Sequence, residues 1–109
     1  MAELDEVGPG ALLIETRVDA GGAAIVVLSG ELDMSNTPSL RETVAAVTAD
    51  GAQQLVFDLG GLRFMDSSGI SVLLEAAATV ETVQIRDPSP IVRRVVETTG
   101  LSRVFGIES

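Results

Sequence analysis

The residues with the clearest capacity for chemistry lie at positions 66–69, where Asp66, Ser67, Ser68 and Gly69 separate an apolar segment from a helix-like repeat. A serine at a helix start lies beside free backbone N–H groups and the positive end of the helix dipole, which favours negative charge. The spacing is therefore consistent with two interpretations. The serines either cap a helix, the simpler explanation, or one of them accepts a phosphate.

Other kinds of chemistry have little support in this chain. It contains no His, no Cys and no Lys, so thiol chemistry, the usual zinc ligands and Ser–His pairs are excluded. No glycine-rich loop ends in Lys-Ser or Lys-Thr to hold nucleotide phosphates. Asp33 and Asp66 could form an acid–base pair, but nothing else favours that role. The sequence predicts no enzymatic activity and no metal or other cofactor.

The net charge of the chain limits the kinds of molecule that it can bind. With 16 acidic and 7 basic residues, the net charge is −9, which repels nucleic acid and anionic membranes and leaves proteins as the expected partners. The first six residues are acidic, unlike a signal peptide, and no apolar run approaches membrane-spanning length. We therefore expect a cytoplasmic protein.

The length of 109 residues fits a single domain. Hydrophobic residues make up 46% of the chain but aromatics only 3%, so the core must be largely aliphatic. Residues 1–10 are acidic and end in Gly-Pro-Gly, which predicts a flexible arm before a domain at 11–109.

Periodicity predicts the strands. Residues 12–18 and 23–28, separated by a turn at 19–22, indicate a hairpin, and residues 55–59 indicate an inner strand that leaves the sheet at Gly60-Gly61. Alternation at residues 83–86 predicts another strand, and residues 104–107 a last edge strand.

Three helices are predicted between these strands. The first begins at Thr37-Pro38, with Thr37 as the cap, and stops near Asp50-Gly51. The second begins at Ser67 or Ser68, and the third runs from Ser89-Pro90 to Gly100. The fold class is therefore α/β: a mixed four- to five-stranded sheet, antiparallel at the start and parallel later, with about three helices packed on it.

Two segments resemble a known family. Residues 64–70, Phe-Met-Asp-Ser-Ser-Gly-Ile, are similar to the signature of anti-sigma factor antagonists of the STAS-domain type. A second family element, residues 29–33 (Ser-Gly-Glu-Leu-Asp), comes after the second predicted strand. The order of elements from about residue 12 to residue 107 agrees, so the resemblance covers nearly the whole chain and implies a STAS-like fold.

The resemblance implies a regulatory role. In this family an anti-sigma factor that is a serine kinase phosphorylates the first serine of Asp-Ser-Ser-Gly, here Ser67. The unphosphorylated form binds the anti-sigma factor and frees a sigma factor, and a PP2C-type phosphatase restores it. The implied partner-binding residues are Glu31, Leu32, Asp33, Ser35, Asn36, Thr37, Met65, Asp66, Ser67, Ser68, Gly69 and Ile70.

This chain departs from the family pattern in one place. Between Gly69 and Pro90 it is shorter than a typical member by about one helical turn of 3.6 residues, and the usual Gly-Gly turn after the second helix is missing. One other function stays open: a STAS scaffold or subunit of a transporter or signalling assembly in which Ser67 is only a cap. Direct nucleotide binding and hydrolysis would require turnover by the isolated chain, and we expect none.

Overall fold

The computed structural model describes residues 11–100 and 105–108, and within them the chain forms five strands and three helices. The predicted arm at residues 1–10, and Val104 of the predicted last strand, lie outside the described residues. The elements are β1 Leu12–Val18, β2 Ala24–Leu32, α1 Thr37–Ala49, β3 Gln54–Met65, α2 Ser67–Ala77, β4 Thr82–Arg86, α3 Pro90–Thr98 and β5 Gly106–Glu108.

The described strands form one sheet in the order β1-β2-β3-β4-β5. The β1–β2 pair is antiparallel, whereas the β2–β3, β3–β4 and β4–β5 pairs are parallel, which confirms the predicted mixed sheet. Parallel neighbours end at the same edge of a sheet, so the residues that come after β2 and β3 lie close together.

The main core joins one face of the sheet to all three helices, and Phe57 and Leu28 are fully buried in it. A smaller apolar cluster of Ala23, Ile25 and Val56 lies on the other face, as strand alternation requires. Within residues 11–100, no helix is long and apolar enough to cross a bilayer.

Two strands are longer than predicted. β2 continues to Leu32, so residues 29–32 lie inside the strand rather than after it, because all four pair with β3 and the first two also pair with β1. β3 continues to Met65 through Gly60 and Gly61, which do not end it. The β2–β3 register shifts at this point, and a Cβ on Gly61 would lie 2.6 Å from the Ser29 hydroxyl oxygen, so the absence of a side chain permits the irregular pairing.

Helix starts also differ from the predictions. Thr37 is the first residue of α1 rather than its cap; the cap position is held by Asn36, which makes no side-chain capping bond to α1. The end of α1 at Asp50-Gly51 and the start of α3 at a Ser89 cap are confirmed. The last strand occupies Gly106–Glu108 instead of residues 104–107.

Candidate functional site

The two sequence elements meet where β2 and β3 end. Leu32 pairs with Met65, the last residues of these strands, so Asp33 and Asp66 come next at adjacent positions. The Asp66 N–H donates to the Leu32 carbonyl oxygen at 3.2 Å and ties the second loop to the first strand. The sequence elements at residues 29–33 and 64–70 thus form one surface.

Asp66 caps α2, although the sequence indicated a serine cap. Its Oδ1 accepts hydrogen bonds from the Ser68 N–H at 2.9 Å, the Gly69 N–H at 3.2 Å and the Ser68 hydroxyl at 2.5 Å. The hydroxyl bond of Ser68, followed by N–H donation from Gly69, Ser68 and Met34, holds the pKa of Asp66 below its usual range despite partial burial. The residue is therefore an anion at neutral pH.

Ser67 is placed differently from Ser68. It is the first residue of α2, its side chain is exposed, and its hydroxyl makes no hydrogen bond to any part of the chain that the structure describes. Its carbonyl oxygen accepts from the Ser71 hydroxyl at 3.1 Å. The capping explanation therefore does not apply to Ser67, because Asp66 is the cap.

The loop after β2 repeats the arrangement of the loop after β3. The Asp33 Oδ1 accepts from the Ser35 N–H at 2.9 Å and from the Ser35 hydroxyl at 2.5 Å. Asn36 accepts from the Asp33 N–H at 3.0 Å and donates to the Glu31 carbonyl oxygen at 2.9 Å. Asp33 and Asp66 thus each bind a serine of their own loop, which is an arrangement of two turns rather than of an acid–base pair.

The predicted partner-binding residues fall into two groups, one exposed to solvent and one buried. Those with side chains at least partly open to solvent are Glu31, Asp33, Ser35, Asn36, Asp66, Ser67, Ser68 and Ile70. Those in the interior are Leu32, Thr37, Met65 and Gly69. The second group can shape the surface but does not present side chains on it, and partner contact stays a prediction for the first group.

Gly69 fixes how α2 lies against the strand ends. A Cβ at this position would lie 2.8 Å from both Leu32 Cδ2 and Met65 Cγ, and both of those side chains are buried. The helix backbone therefore approaches the core so closely that a larger residue would require Leu32 and Met65 to shift. This contact sets the direction in which Ser67 and Ser68 point.

Two apolar residues at this surface were absent from the predicted set. Met34, the middle residue of the first loop, is 75% exposed, and Phe64 is 46% exposed and pairs with Glu31 in the sheet register. The signal that could have identified Met34 is the repeated Asp-x-Ser pattern, which displays Met34 in one loop and Ser67 in the other.

The polar rim of this surface is acidic. Glu31, Asp33 and Asp66 contribute carboxylates, and Glu31 is 3.8 Å from the Arg63 guanidinium. No group of three or more potential metal ligands occurs within the part of the chain that the structure describes. The arrangement offers a free hydroxyl, exposed apolar side chains and a negative rim, which suit recognition by a protein.

Comparisons with known proteins identify the family of this chain. The family model described as "Mlab, STAS domain" matches residues 16–107. The anti-sigma-F factor antagonist RsfB of Mycobacterium tuberculosis is 30% identical over 100 residues, 86% of this chain and 80% of that protein.

Solved structures give the same picture. An anti-sigma factor antagonist from Mycobacterium paratuberculosis has a TM-score of 0.86 at 27% identity, covering 94% of this chain and 90% of that one. SpoIIAA of Bacillus, solved in unphosphorylated and phosphorylated forms, shares the fold with TM-scores of 0.77 and 0.70 at 22% identity, over 89% of this chain and 89% and 92% of those chains. The chain belongs to the STAS-domain family and, within it, to the anti-sigma factor antagonists.

Proposed function

We propose that this protein binds an anti-sigma factor of the serine-kinase type while Ser67 carries no phosphate, and so releases a sigma factor in the cytoplasm. Phosphorylation of Ser67 by that partner ends the binding, and a PP2C-type phosphatase restores it. ATP comes with the kinase, since this chain has no lysine and no phosphate-binding loop.

The observation that carries this proposal is the state of the Ser67 hydroxyl. It is exposed and free of hydrogen bonds to the described residues, at the point where two sequence elements of the family meet. A hydroxyl that capped a helix would be occupied by backbone N–H groups, whereas an acceptor must be able to enter a kinase active site. Ser67 fits the second requirement.

Charge explains how a phosphate would end the binding. Phosphorylation adds about −1.5 to −2 charges beside Asp66, which is already an anion. The N–H groups of Ser68 and Gly69 already donate to Asp66, so they are not free to neutralise the added charge. Full switching needs a differential of about 5.5 kcal/mol, within reach of a divalent anion buried against a partner.

The test compares Ser67→Asp, which adds one negative charge, with Ser67→Asn, which introduces a neutral side chain of the same shape as Asp. Calorimetric titration against candidate anti-sigma kinases should show near-native affinity for Ser67→Asn and a large loss for Ser67→Asp. Equal affinity of wild type and Ser67→Asp would contradict the switch. A pull-down from native cytoplasm supplies the partner.

Intact mass separates this function from a constitutive scaffold. After incubation with the partner and ATP, the wild type should gain one phosphate and Ser67→Ala none. A wild type that binds the partner but gains no mass supports the scaffold, in which Ser67 has no regulatory part.

A further inference from the structure

The two adjacent serines at the start of α2 are chemically alike but differently placed. The Ser68 hydroxyl donates to Asp66 Oδ1 at 2.5 Å, and the side chain is half-buried. The Ser67 side chain is exposed, with a hydroxyl that has no partner among the described residues. A kinase approaching this surface therefore meets one free hydroxyl and one that is already engaged.

Helix geometry keeps the two serines apart. Successive residues of an α-helix point about 100° apart around its axis, so two adjacent side chains cannot share one direction. Gly69, the next residue, lies so close to Leu32 and Met65 that a Cβ on it would be 2.8 Å from both, so this side of α2 is the one that packs on the strand ends. Asp66, which accepts the hydrogen bond from Ser68, is itself held in place because its N–H donates to the Leu32 carbonyl oxygen.

The hydrogen bond from a serine hydroxyl to the aspartate two residues earlier does not depend on a helix start. Asp33 holds the hydroxyl and N–H of Ser35 with distances of 2.5 and 2.9 Å, the same values as for Asp66 and Ser68. This first loop leads to an α1 start where Asn36, not Asp33, occupies the cap position. The Asp-x-Ser turn therefore immobilises its serine in two different settings.

Phosphoryl transfer requires a hydroxyl that can move. The serine oxygen forms a bond to the γ-phosphorus, the bond from that phosphorus to the bridging oxygen of the nucleoside diphosphate breaks, and the hydroxyl proton passes to a base on the kinase. Ser68 would first have to leave Asp66. Because the pKa of Asp66 is lowered, its carboxylate is a weak base that holds the Ser68 proton without removing it.

We propose that Asp66 is a positioning residue that directs phosphorylation to Ser67 by holding the hydroxyl of Ser68. The inference rests on the proposed function and adds to it the reason why one of two neighbouring serines is the acceptor.

The experiment maps phosphate by tandem mass spectrometry after incubation with the cognate kinase and ATP. The variants are wild type, Ser67→Ala, Asp66→Ala and Asp66→Asn, the last of which retains an acceptor oxygen at the same place. Circular dichroism checks the fold of each. We expect phosphate on Ser67 in wild type and Asp66→Asn, and a rise of about tenfold or more in the share on Ser68 in Asp66→Ala.

Ser67→Ala gives a second test that leaves Asp66 in place. Its Ser68 should be phosphorylated at no more than about a tenth of the rate of Ser67 in wild type, because the hydroxyl stays bound. The inference is overturned if Ser68 in Ser67→Ala is phosphorylated as fast as Ser67, or if folded Asp66→Ala carries phosphate on Ser67 alone or on neither serine. If Asp66→Ala does not fold, the Ser67→Ala rate decides. A wild type that takes no phosphate contradicts the proposed function, and with it this inference.

Discussion

Two loops at the ends of neighbouring strands share one pair of hydrogen bonds, from a serine to an aspartate, but display different side chains. Asp33 and Asp66 each bind the N–H and hydroxyl of the serine two residues later. The residue between is Met34 in one loop and Ser67 in the other, and both are exposed. The same turn thus holds an apolar side chain and a hydroxyl at one surface, and only the hydroxyl can accept a phosphate.

The two loops differ in how they join the next helix. The second loop starts α2 with an N-cap from Asp66, whereas the first leads to α1 without a side-chain capping bond to that helix. The second loop should therefore contribute more to stability. Four substitutions would test how the two loops differ. They are given in order of decreasing expected change in the free energy of unfolding or of partner binding.

The largest effect is expected at Gly69, which positions the second loop. In Gly69→Ala the new Cβ would lie 2.8 Å from Leu32 and Met65, so these buried side chains must shift. We expect a loss of about 1–3 kcal/mol in the free energy of unfolding, measured with urea. In the control Gly51→Ala, the new Cβ would contact no described residue other than its chain neighbours within 4 Å, but φ is +98°, so its loss of stability measures backbone strain without crowding. An unchanged midpoint for Gly69→Ala would contradict the close contact.

The next effect concerns binding through the first loop. Met34→Ser removes a 75% exposed apolar side chain beside Asp33, and we expect about tenfold weaker binding to the anti-sigma factor, about 1.4 kcal/mol. Val18→Ser is the matched control, because Val18 is 71% exposed at the opposite end of the sheet and should bind as wild type. Equal losses in both variants would argue against a partner at this edge.

The third prediction compares the two aspartates. Asp66→Ala removes the α2 cap and should cost about 1 kcal/mol of unfolding free energy, more than Asp33→Ala. Because folding lowers the pKa of Asp66, its contribution is present above the unfolded carboxyl value of about 4 and fades as pH falls through the folded value. Denaturation at pH 6 and pH 3 should therefore show a smaller difference between wild type and Asp66→Ala at pH 3. A difference that grows on acidification contradicts this assignment.

The smallest effect on stability is expected at Ser67 itself. Ser67→Ala breaks no side-chain hydrogen bond within the described residues, so the free energy of unfolding should stay within about 0.5 kcal/mol of wild type. Ser68→Ala loses a bond to a charged acceptor and should be the less stable of the two. The opposite order would mean that Ser67, not Ser68, has the structural role.

Much of the fold could be predicted from local patterns. The hairpin, the three helices and the mixed sheet are predicted by apolar periodicity and by turn residues such as Gly22 and Gly51, which adopt positive φ. The errors are concentrated at Gly60 and Gly61 and at residues 29–32, where local composition indicates a strand exit. Pairing with neighbouring strands continues β2 and β3 there, and such pairing is a long-range effect that composition does not carry.

The sequence by itself determined the acidic charge, the absence of His, Cys and Lys, and the two motifs whose resemblance indicates the family. It did not show whether a serine at the start of α2 caps the helix or leaves its hydroxyl free, because the same local sequence is compatible with both arrangements. Only the tertiary structure brought Asp33 and Asp66 to one edge, made Asp66 the cap and left the Ser67 hydroxyl in solvent. The physical reason is that a hydrogen bond depends on direction, and direction is set here by the packing of Gly69 against Leu32 and Met65.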